Sequence, residues 1–342
     1  MNTGIYTPKQ RIEWIDAMRG FTMFLVVYGH VGLLCFTTDD PIFNDFFMLW
    51  RMPLFFFISG FVFYKKELAS TFQNVKSIIG KKFRIQVIPT LVFIIIASKM
   101  ALIDIHYEYY WFTIVLFYFF VFSVLIIGGG KLLKCSMLKY IYGTLAIAFV
   151  VSMSYSSLRP GFLNAYAGNL YLAHLNMFPY FCLGAWVKRN KNAVRKVIDH
   201  PAFLTTVQIL CVAISYLMIK FYWFRNAVPY NMFFYYVAGV LGVIIVATFF
   251  RKYQSSFTRE TRLGKGLQYI GRNTLDIYLL HYLFLPNVQP DISAFLTRSN
   301  NLLLEFLVSG LFALMIVGMC LLVSRLIRVN PWMGRWLFGV KY

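Results

Sequence analysis

The sequence predicts an all-α fold, a polytopic membrane helix bundle of about ten transmembrane helices, and three observations support this. Of the 342 residues, 59% are hydrophobic and only 13% are charged, and the mean hydropathy is +0.64. A soluble globular domain carries charges on about a quarter of its residues. Apolar runs recur along the chain, and the segments between them alternate between basic and non-basic. These features exclude an ordinary soluble domain.

Ten apolar stretches have the length of a membrane-spanning helix, which needs about 20 residues. They cover residues 13–36, 43–64, 85–103, 110–129, 137–155, 168–187, 203–222, 230–250, 267–286 and 302–327. The first run lacks a small-residue cleavage site, so we expect it to stay in the membrane. Without an internal repeat or a low-complexity linker, we expect one membrane domain over residues 1–342 and no appended soluble domain.

Basic residues concentrate in alternate loops. The N-terminal segment, the even-numbered loops and the tail hold most of the 33 Lys and Arg residues, whereas the first loop holds Asp39 and Asp40 and no basic residue. Cytoplasmic loops carry an excess of Lys and Arg, so both termini are predicted to be cytoplasmic. The same distribution explains the net charge of +20 as topology, and no nucleic-acid partner is expected.

The first predicted span contains two ionisable residues, Arg19 and His30, in an otherwise apolar run. Eleven positions at about 100° per residue bring both side chains to one face, about 16 Å apart along the helix axis. Placing an ionisable group within a membrane costs free energy, so such a group is taken as functional by default. We interpret His30 as a candidate general base, because a neutral imidazole can accept a proton from a hydroxyl. The alternative is an interhelical hydrogen bond.

The cations nearer the predicted cytoplasmic face each have two interpretations. Asp16 precedes Arg19 by three residues and could neutralise it through an i,i+3 ion pair. Alternatively, Arg19 could bind a phosphate-bearing ligand that enters from the cytoplasm. Lys82 and Arg84, at the start of the third span, could likewise bind phosphate or simply follow the topology rule.

The second span carries Arg51, Pro53, Ser59 and Gly60. Because this span is predicted to run from outside to inside, Arg51 falls at a depth near His30, with snorkelling to the outer interface as the alternative. Pro53 is expected to kink the helix. Ser59 and Gly60 permit close contact with another helix.

The ninth span places Thr274, Tyr278 and His281 on one helix face, because they are spaced four and three residues apart. His281 has the same two interpretations as His30. Asp276 is a candidate buried carboxylate that requires a partner. The remaining histidines look like loop or interface residues, and we assign them no catalytic role: His106, His174 and His200.

These motifs resemble the membrane-bound acyltransferase family 3, bacterial O-acyltransferases that modify surface glycans. The most specific part is an Asp followed by an Arg–ten residues–His pattern, met by Asp16, Arg19 and His30. The remaining elements, in chain order, are Met52–Phe56 with Ser59 and Gly60, then Trp111 and Phe112, then Phe178–Phe181 with Gly184, and finally Gly271–Thr274 with Tyr278 and His281.

The chain departs from the family pattern at three places. Arg51 stands where the family often has a histidine, so a cationic contact is kept and a second proton acceptor is lost. Thr113 replaces a leucine after Trp111 and Phe112. The paired arginines before the third span are met only loosely by Lys82 and Arg84.

The resemblance implies an O-acyltransferase of the bacterial cytoplasmic (inner) membrane. It would move an acyl group, expected to be acetyl, from cytoplasmic acyl-CoA to a hydroxyl of a surface saccharide or its lipid-linked precursor. Its expected partners are acyl-CoA, that glycan and the bilayer. Arg19, with Lys82 and Arg84, would contact the donor; His30 would be the base; and Arg51 would stabilise charge on the thioester oxygen.

We expect no metal and no permanently bound cofactor. The five cysteines are scattered without a Cys-x-x-Cys, which predicts neither a disulfide framework nor a zinc site. Ser59 is a conceivable nucleophile for an acyl-enzyme, although the sequence places no base beside it.

Two other classes of function stay open. A transporter or glycan flippase also uses broken helices and buried charges, but it consumes no acyl-CoA. A non-catalytic partner in an envelope complex would tolerate replacement of Arg19 and His30.

Overall fold

A computed structural model describes residues 11–36, 42–64, 72–100, 110–132, 172–220, 230–285, 290–299 and 301–339. Within those ranges every regular element is a helix, so the all-α prediction is confirmed. The predicted fifth span, 137–155, lies outside the described residues, as does His106.

The α-helices in chain order are α1 (Glu13–Leu34), α2 (Ile42–Phe63), α3 (Phe72–Lys82), α4 (Ile88–Met100), α5 (Trp111–Leu132), α6 (Phe178–Arg189), α7 (Lys191–Ile198), α8 (Pro201–Lys220), α9 (Tyr230–Lys252), α10 (Arg262–Arg272), α11 (Thr274–Leu280), α12 (Pro290–Ser299), α13 (Leu302–Ile327) and α14 (Pro331–Phe338). A π-helical turn, Phe83–Val87, joins α3 to α4. Three 3₁₀ segments are Leu172–Met177, Gln254–Phe257 and His281–Phe284.

In the part of the chain that the structure describes, four helices are long and apolar enough to cross a membrane: Glu13–Leu34, Phe46–Phe63, Tyr235–Lys252 and Leu303–Ile327. A fifth candidate is a pair, Lys191–Ile198 and Pro201–Leu217, bent by 79°. The protein is therefore a helical membrane protein, while the full number of spans stays a prediction.

Helix α1 is the centre of the bundle. It contacts α2, α9, α10, α11 and α13, and both large clusters of buried apolar side chains include its residues. Met23, Val27 and Val31 on one side and Met18 and Leu25 on the other are nearly inaccessible. A helix that is apolar all round is expected to be buried on all sides, as α1 is.

Helices α2 and α6 pack at very short range through glycines. A Cβ atom at Gly60 would overlap the carbonyl of Phe181, and one at Gly184 would overlap the carbonyl of Phe57. Small residues allow backbones in membrane bundles to approach closely. The close contact predicted for Gly60 is thus confirmed, and α2 continues through Pro53.

The predicted ninth span, 267–286, is not one continuous helix. It is divided at Asn273 between α10 and α11, and again at His281, where a 3₁₀ turn begins. Asn273 leaves helical geometry with φ −108° and ψ 22°, and its Nδ2 donates to the carbonyl of Tyr269 at 2.8 Å. An asparagine whose side chain bonds to the carbonyl of a preceding residue competes with the backbone N–H that would continue the helix.

The break changes the direction of the chain along α1. In α10, Leu267 lies against Gly20, and Gly271 lies so close to Asp16 that a Cβ would overlap its carbonyl. After the break, α11 begins with Thr274 beside Arg19 and leads to the turn in which His281 contacts His30. The segment therefore passes α1 first in one direction and then in the other.

Several basic helix ends gather at one end of the bundle. Trp14 at the start of α1 contacts Phe61 near the end of α2, and Lys188 of α6 lies over the same Phe61 ring. Glu13 forms an ion pair with Arg259 at 3.2 Å, in the segment that follows α9. This is the arrangement that a positive-inside topology requires. The cytoplasmic position of this end stays a prediction.

Candidate functional site

A cavity of about 320 Å³ lies among α1, α2, α5, α9, the 3₁₀ segment before α6 and the segment from α11 to Phe284. Apolar walls with a few convergent polar groups mark the default candidate for a binding or active site. Within the described ranges, no group of three or more His, Cys, Asp or Glu side chains could hold a metal ion. The polar and aromatic lining residues include His30, Arg51, Trp111, Phe112, His174, Tyr235, Tyr278 and Tyr282.

Two histidines from opposite ends of the chain meet at this cavity. His30 of α1 is partly buried and lines the cavity, whereas His281 is fully buried. Nε2 of His281 lies 3.0 Å from Nδ1 of His30, and the ring centroids are 5.0 Å apart. The hydroxyl oxygen of Tyr282 lies 3.2 Å from Nε2 of His30. The turn after α11 thus brings an imidazole and a phenol to the histidine of α1.

Arg51 reaches the same cavity from α2. Its side chain is only 6% exposed, and its guanidinium packs against the backbone of Gly29. A Cβ atom at Gly29 would overlap the guanidinium, so this arrangement depends on glycine. The arginine therefore lies beside the residue that precedes His30 and does not snorkel to an interface.

Arg19 lies about three turns before His30 on α1. Its Nη2 donates to Oγ1 of Thr274 at 3.0 Å. The carboxylate of Asp16 pairs instead with Arg272 at 3.4 Å and with Arg11 at 3.9 Å. Among the residues that the structure describes, no ion pair within 4 Å joins Arg19 to an acidic side chain, so the close i,i+3 pair with Asp16, one of the two interpretations of Arg19, is not formed.

Helix α11 is held by polar contacts on two sides. Asp276 accepts hydrogen bonds from Ser324 of α13 and from Nη2 of Arg328, the latter at 2.5 Å. These groups are the partners that a buried carboxylate requires. On the cavity side, the backbone N–H of Phe112 donates to the hydroxyl oxygen of Tyr278 at 3.1 Å. The position of Tyr278 is therefore fixed from α5 as well as from α13.

His174 lines the cavity, although its sequence context suggested a loop or interface residue. Its ring stacks on Trp111 with centroids 3.9 Å apart and planes 18° apart. The available signal was its place within the predicted sixth span, 168–187. Tyr235 and Tyr282 also line the cavity and were not foreseen, because the chain holds 23 tyrosines and their spacing did not separate these two.

Other predicted residues lie outside the cavity lining. Ser59 is half-buried on α2, seven positions beyond Met52 of the lining. Nζ of Lys82 lies 3.9 Å from the ring centroid of Phe120, and Arg84 is exposed on the π-helical turn. Arg19 and Thr274 are likewise absent from the lining. The structure brings His30, Arg51, Trp111 and Tyr278 together at one cavity, with His281 in contact behind His30.

The fold and the site define a helical membrane protein with a paired imidazole and a buried cation at one cavity. A family model described as an acyltransferase domain matches residues 12–325, nearly the whole chain. The chain therefore belongs to the acyltransferase 3 family, and the protein is a membrane acyltransferase. No curated protein and no solved structure matches it.

Proposed function

We propose that the protein transfers an acyl group, with acetyl as the expected one, from acyl-CoA to a hydroxyl of a surface saccharide or its lipid-linked precursor. The observation that carries this proposal is the cavity at which His30 meets Arg51. Acyl transfer to a hydroxyl needs a base for the proton and a cation or donor for the carbonyl oxygen. His30 and Arg51 are groups of those two kinds, and they reach one cavity from different helices.

The proposed reaction needs no covalent enzyme intermediate. His30 takes the proton of the acceptor hydroxyl while its oxygen attacks the thioester carbonyl carbon. Arg51 stabilises the negative charge that develops on the carbonyl oxygen. The carbon–sulfur bond then breaks, and the imidazolium returns the proton to the thiolate. The products are the acyl ester of the acceptor and free CoA.

Arg19 is the proposed contact for the phosphates of the donor. Its described hydrogen bond goes to a neutral hydroxyl, and the nearby Asp16 is engaged by Arg272 and Arg11. The guanidinium thus keeps donors for an anion, and arginine binds phosphate in a bidentate manner. The cluster of basic helix ends near the start of α1 supports entry of an anionic donor from the cytoplasm.

The aromatic cavity supports a saccharide acceptor at the proposed site. Trp111, Tyr235, Tyr278 and Tyr282 offer apolar ring faces together with polar tips. A membrane location in the bacterial cytoplasmic membrane would give the protein access to cytoplasmic acyl-CoA and to lipid-linked glycans.

Replacement of His30 tests the proposed base. A folded His30→Ala variant should lose about 100-fold or more of its acyl-transfer rate, since a general base contributes about 10²–10⁴-fold. The measurement is release of CoA thiol from acetyl-CoA by purified protein in nanodiscs with a lipid-linked glycan acceptor. His200→Ala, at an exposed position after α7, is the matched control. Wild-type turnover by His30→Ala would exclude His30 as the base.

Replacement of Arg19 tests the donor site separately. Acetyl-CoA at a hundredfold excess over its Kd should stabilise the folded protein by about 2.7 kcal/mol. Thermal unfolding should show this shift in wild type and in the control Arg298→Ala, but only a small shift in Arg19→Ala. If saturating acetyl-CoA leaves the unfolding temperature of folded wild type unchanged, the acyl-CoA proposal is wrong.

A further inference from the structure

We infer that His281 is a positioning residue that fixes the tautomer of His30 and thereby decides which ring nitrogen of His30 is free to accept a proton. The consequence for turnover rests on the proposed function. The tautomer itself follows from the hydrogen-bond geometry alone and can be measured without any reaction.

The hydrogen bonds of His281 assign its own proton. Nδ1 lies 3.0 Å from the carbonyl oxygen of Ile277 and 2.8 Å from that of Tyr278. A carbonyl oxygen can only accept, so Nδ1 must carry the hydrogen. A fully buried imidazole whose partners are carbonyls and another imidazole is stable in the neutral form, because none of these described partners is an anion that could compensate a charge. Neutral imidazole has a single N–H, and Nε2 of His281 is therefore an acceptor.

The proton of His30 follows from that of His281. Nε2 of His281 lies 3.0 Å from Nδ1 of His30. Two lone pairs cannot form a hydrogen bond, so Nδ1 of His30 must be the donor. In a neutral ring this leaves Nε2 of His30 unprotonated. The hydroxyl of Tyr282, 3.2 Å away, can donate to that nitrogen. An acceptor hydroxyl would take the same place when its proton is transferred.

The end of α11 explains why His281 is oriented in this way. The last carbonyl groups of an α-helix have no partner within the helix. α11 ends at Leu280, so Ile277 and Tyr278 belong to its last turn, and His281 follows as the capping residue. Its Nδ1–H donates to both carbonyl oxygens, and the oxygen of Ile277 also accepts the backbone N–H of His281. The carbonyl groups at the end of α11 are thus the acceptors that fix the orientation of His281. Nε2 of His281 is in turn the acceptor that fixes the tautomer of His30.

Nitrogen-15 NMR of histidine-labelled protein in nanodiscs tests the tautomers directly. The signals are assigned with single His30→Gln and His281→Gln variants. We expect wild-type His30 to be protonated at Nδ1 and unprotonated at Nε2. In His281→Leu, which has no acceptor at this position, His30 should become a mixture of both tautomers. In His281→Gln the amide oxygen replaces Nε2 as acceptor, and His30 should keep its Nδ1 proton.

Kinetics separate positioning from a merely structural role. In His281→Leu only the Nδ1-protonated fraction of His30 can accept the proton, so kcat should fall by the inverse of the fraction that NMR measures, while KM for acetyl-CoA changes less than about twofold. His281→Gln should restore most of that turnover. His200→Leu carries the same substitution at an exposed site and should match wild type in both constants.

Different results overturn the inference and the proposed function. Wild-type His30 protonated at Nε2, or a folded His281→Leu with unchanged kcat, would contradict the positioning role. If wild type transfers no acyl group at all, the proposed function fails, and the NMR of wild type and His281→Gln still decides the tautomer. That part of the test also remains if His281→Leu does not fold.

Discussion

At the scale of single residues, Gly29 determines where the buried cation of the cavity lies. The guanidinium of Arg51 occupies the space that any side chain at position 29 would need. Most helix positions gain stability when glycine is replaced by alanine, by about 0.5–1 kcal/mol. The glycine at position 29 therefore makes room for the guanidinium of Arg51 and does not stabilise the helix.

Gly29→Ala should displace the guanidinium of Arg51 without unfolding the protein, because the end of an arginine side chain can move. If Arg51 stabilises the carbonyl oxygen in the transition state, the acyl-transfer rate should fall about 100-fold. Steady-state kinetics of purified protein measures this effect. Gly310→Ala is the matched control, since a Cβ atom at that position meets nothing within 4 Å. A Gly29→Ala enzyme as fast as the control would argue against a role for Arg51.

Some of these residues are predictable from sequence and others are not. The eleven-residue spacing of Arg19 and His30 shows that they share a face, because helix geometry depends only on position. Residue spacing does not predict which other segments that face contacts. His174 and Tyr282 both fall within predicted spans, but they reach the cavity through the packing of distant segments, which spacing within a span does not show.

At the scale of elements, the short helix α11 leads into the turn whose His281 and Tyr282 contact His30. It is only seven residues long, and an isolated helix of that length is not stable in water. Its position depends on Asp276, which is 2% exposed and bonded to Ser324 and Arg328. These contacts connect α11 to the end of α13.

Asp276→Ala should therefore destabilise the protein and loosen the histidine pair. Removing one partner of a buried ion pair costs about 3–5 kcal/mol, and the partial exposure of Arg328 places the expected loss at or below about 3 kcal/mol. Asp276→Asn retains an acceptor for Ser324 and should lose less. Chemical denaturation in detergent gives both values, and a double-mutant cycle with Arg328→Ala isolates the pair. A coupling energy near zero in that cycle would mean that the contact does not hold α11.

The ninth predicted span shows the limit of prediction at this scale. Apolar periodicity indicates helix and indicates which face is buried, and both features are present in α10 and α11. It does not reveal that helix α10 ends before Asn273, because asparagine is tolerated within helices and its effect depends on packing. Here Gly271 against Asp16 and Gly20 against Leu267 bring α10 onto α1, and the break allows α11 to follow α1 onward.

At the scale of the whole molecule, charge and cavity lie toward different ends of α1. The ion pairs Arg259–Glu13 and Arg272–Asp16 surround its first turns, whereas the cavity lies at His30 near its last turns. Charge bias sets the orientation of a membrane protein, so the basic end is predicted to be cytoplasmic.

Cysteine labelling can test this orientation. Lys196→Cys is exposed on α7 at the basic end, and Arg298→Cys is exposed on α12 at the predicted outer side. A membrane-impermeant maleimide should label Arg298→Cys in intact spheroplasts and Lys196→Cys only after permeabilisation. The four native cysteines that the structure describes are buried, and Cys135, which lies outside the described residues, is replaced by serine in both variants. The reverse pattern would show that the bundle is inverted.

The contact between His30 and His281 also has a consequence for biogenesis. The two residues are 251 positions apart, so the ribosome makes one long before the other. Until the segment after Asn273 is synthesised, His30 lacks its contacts with His281 and Tyr282. If His30 is the base, as proposed, a chain truncated before this segment should insert into the membrane without transferring or hydrolysing the acyl group.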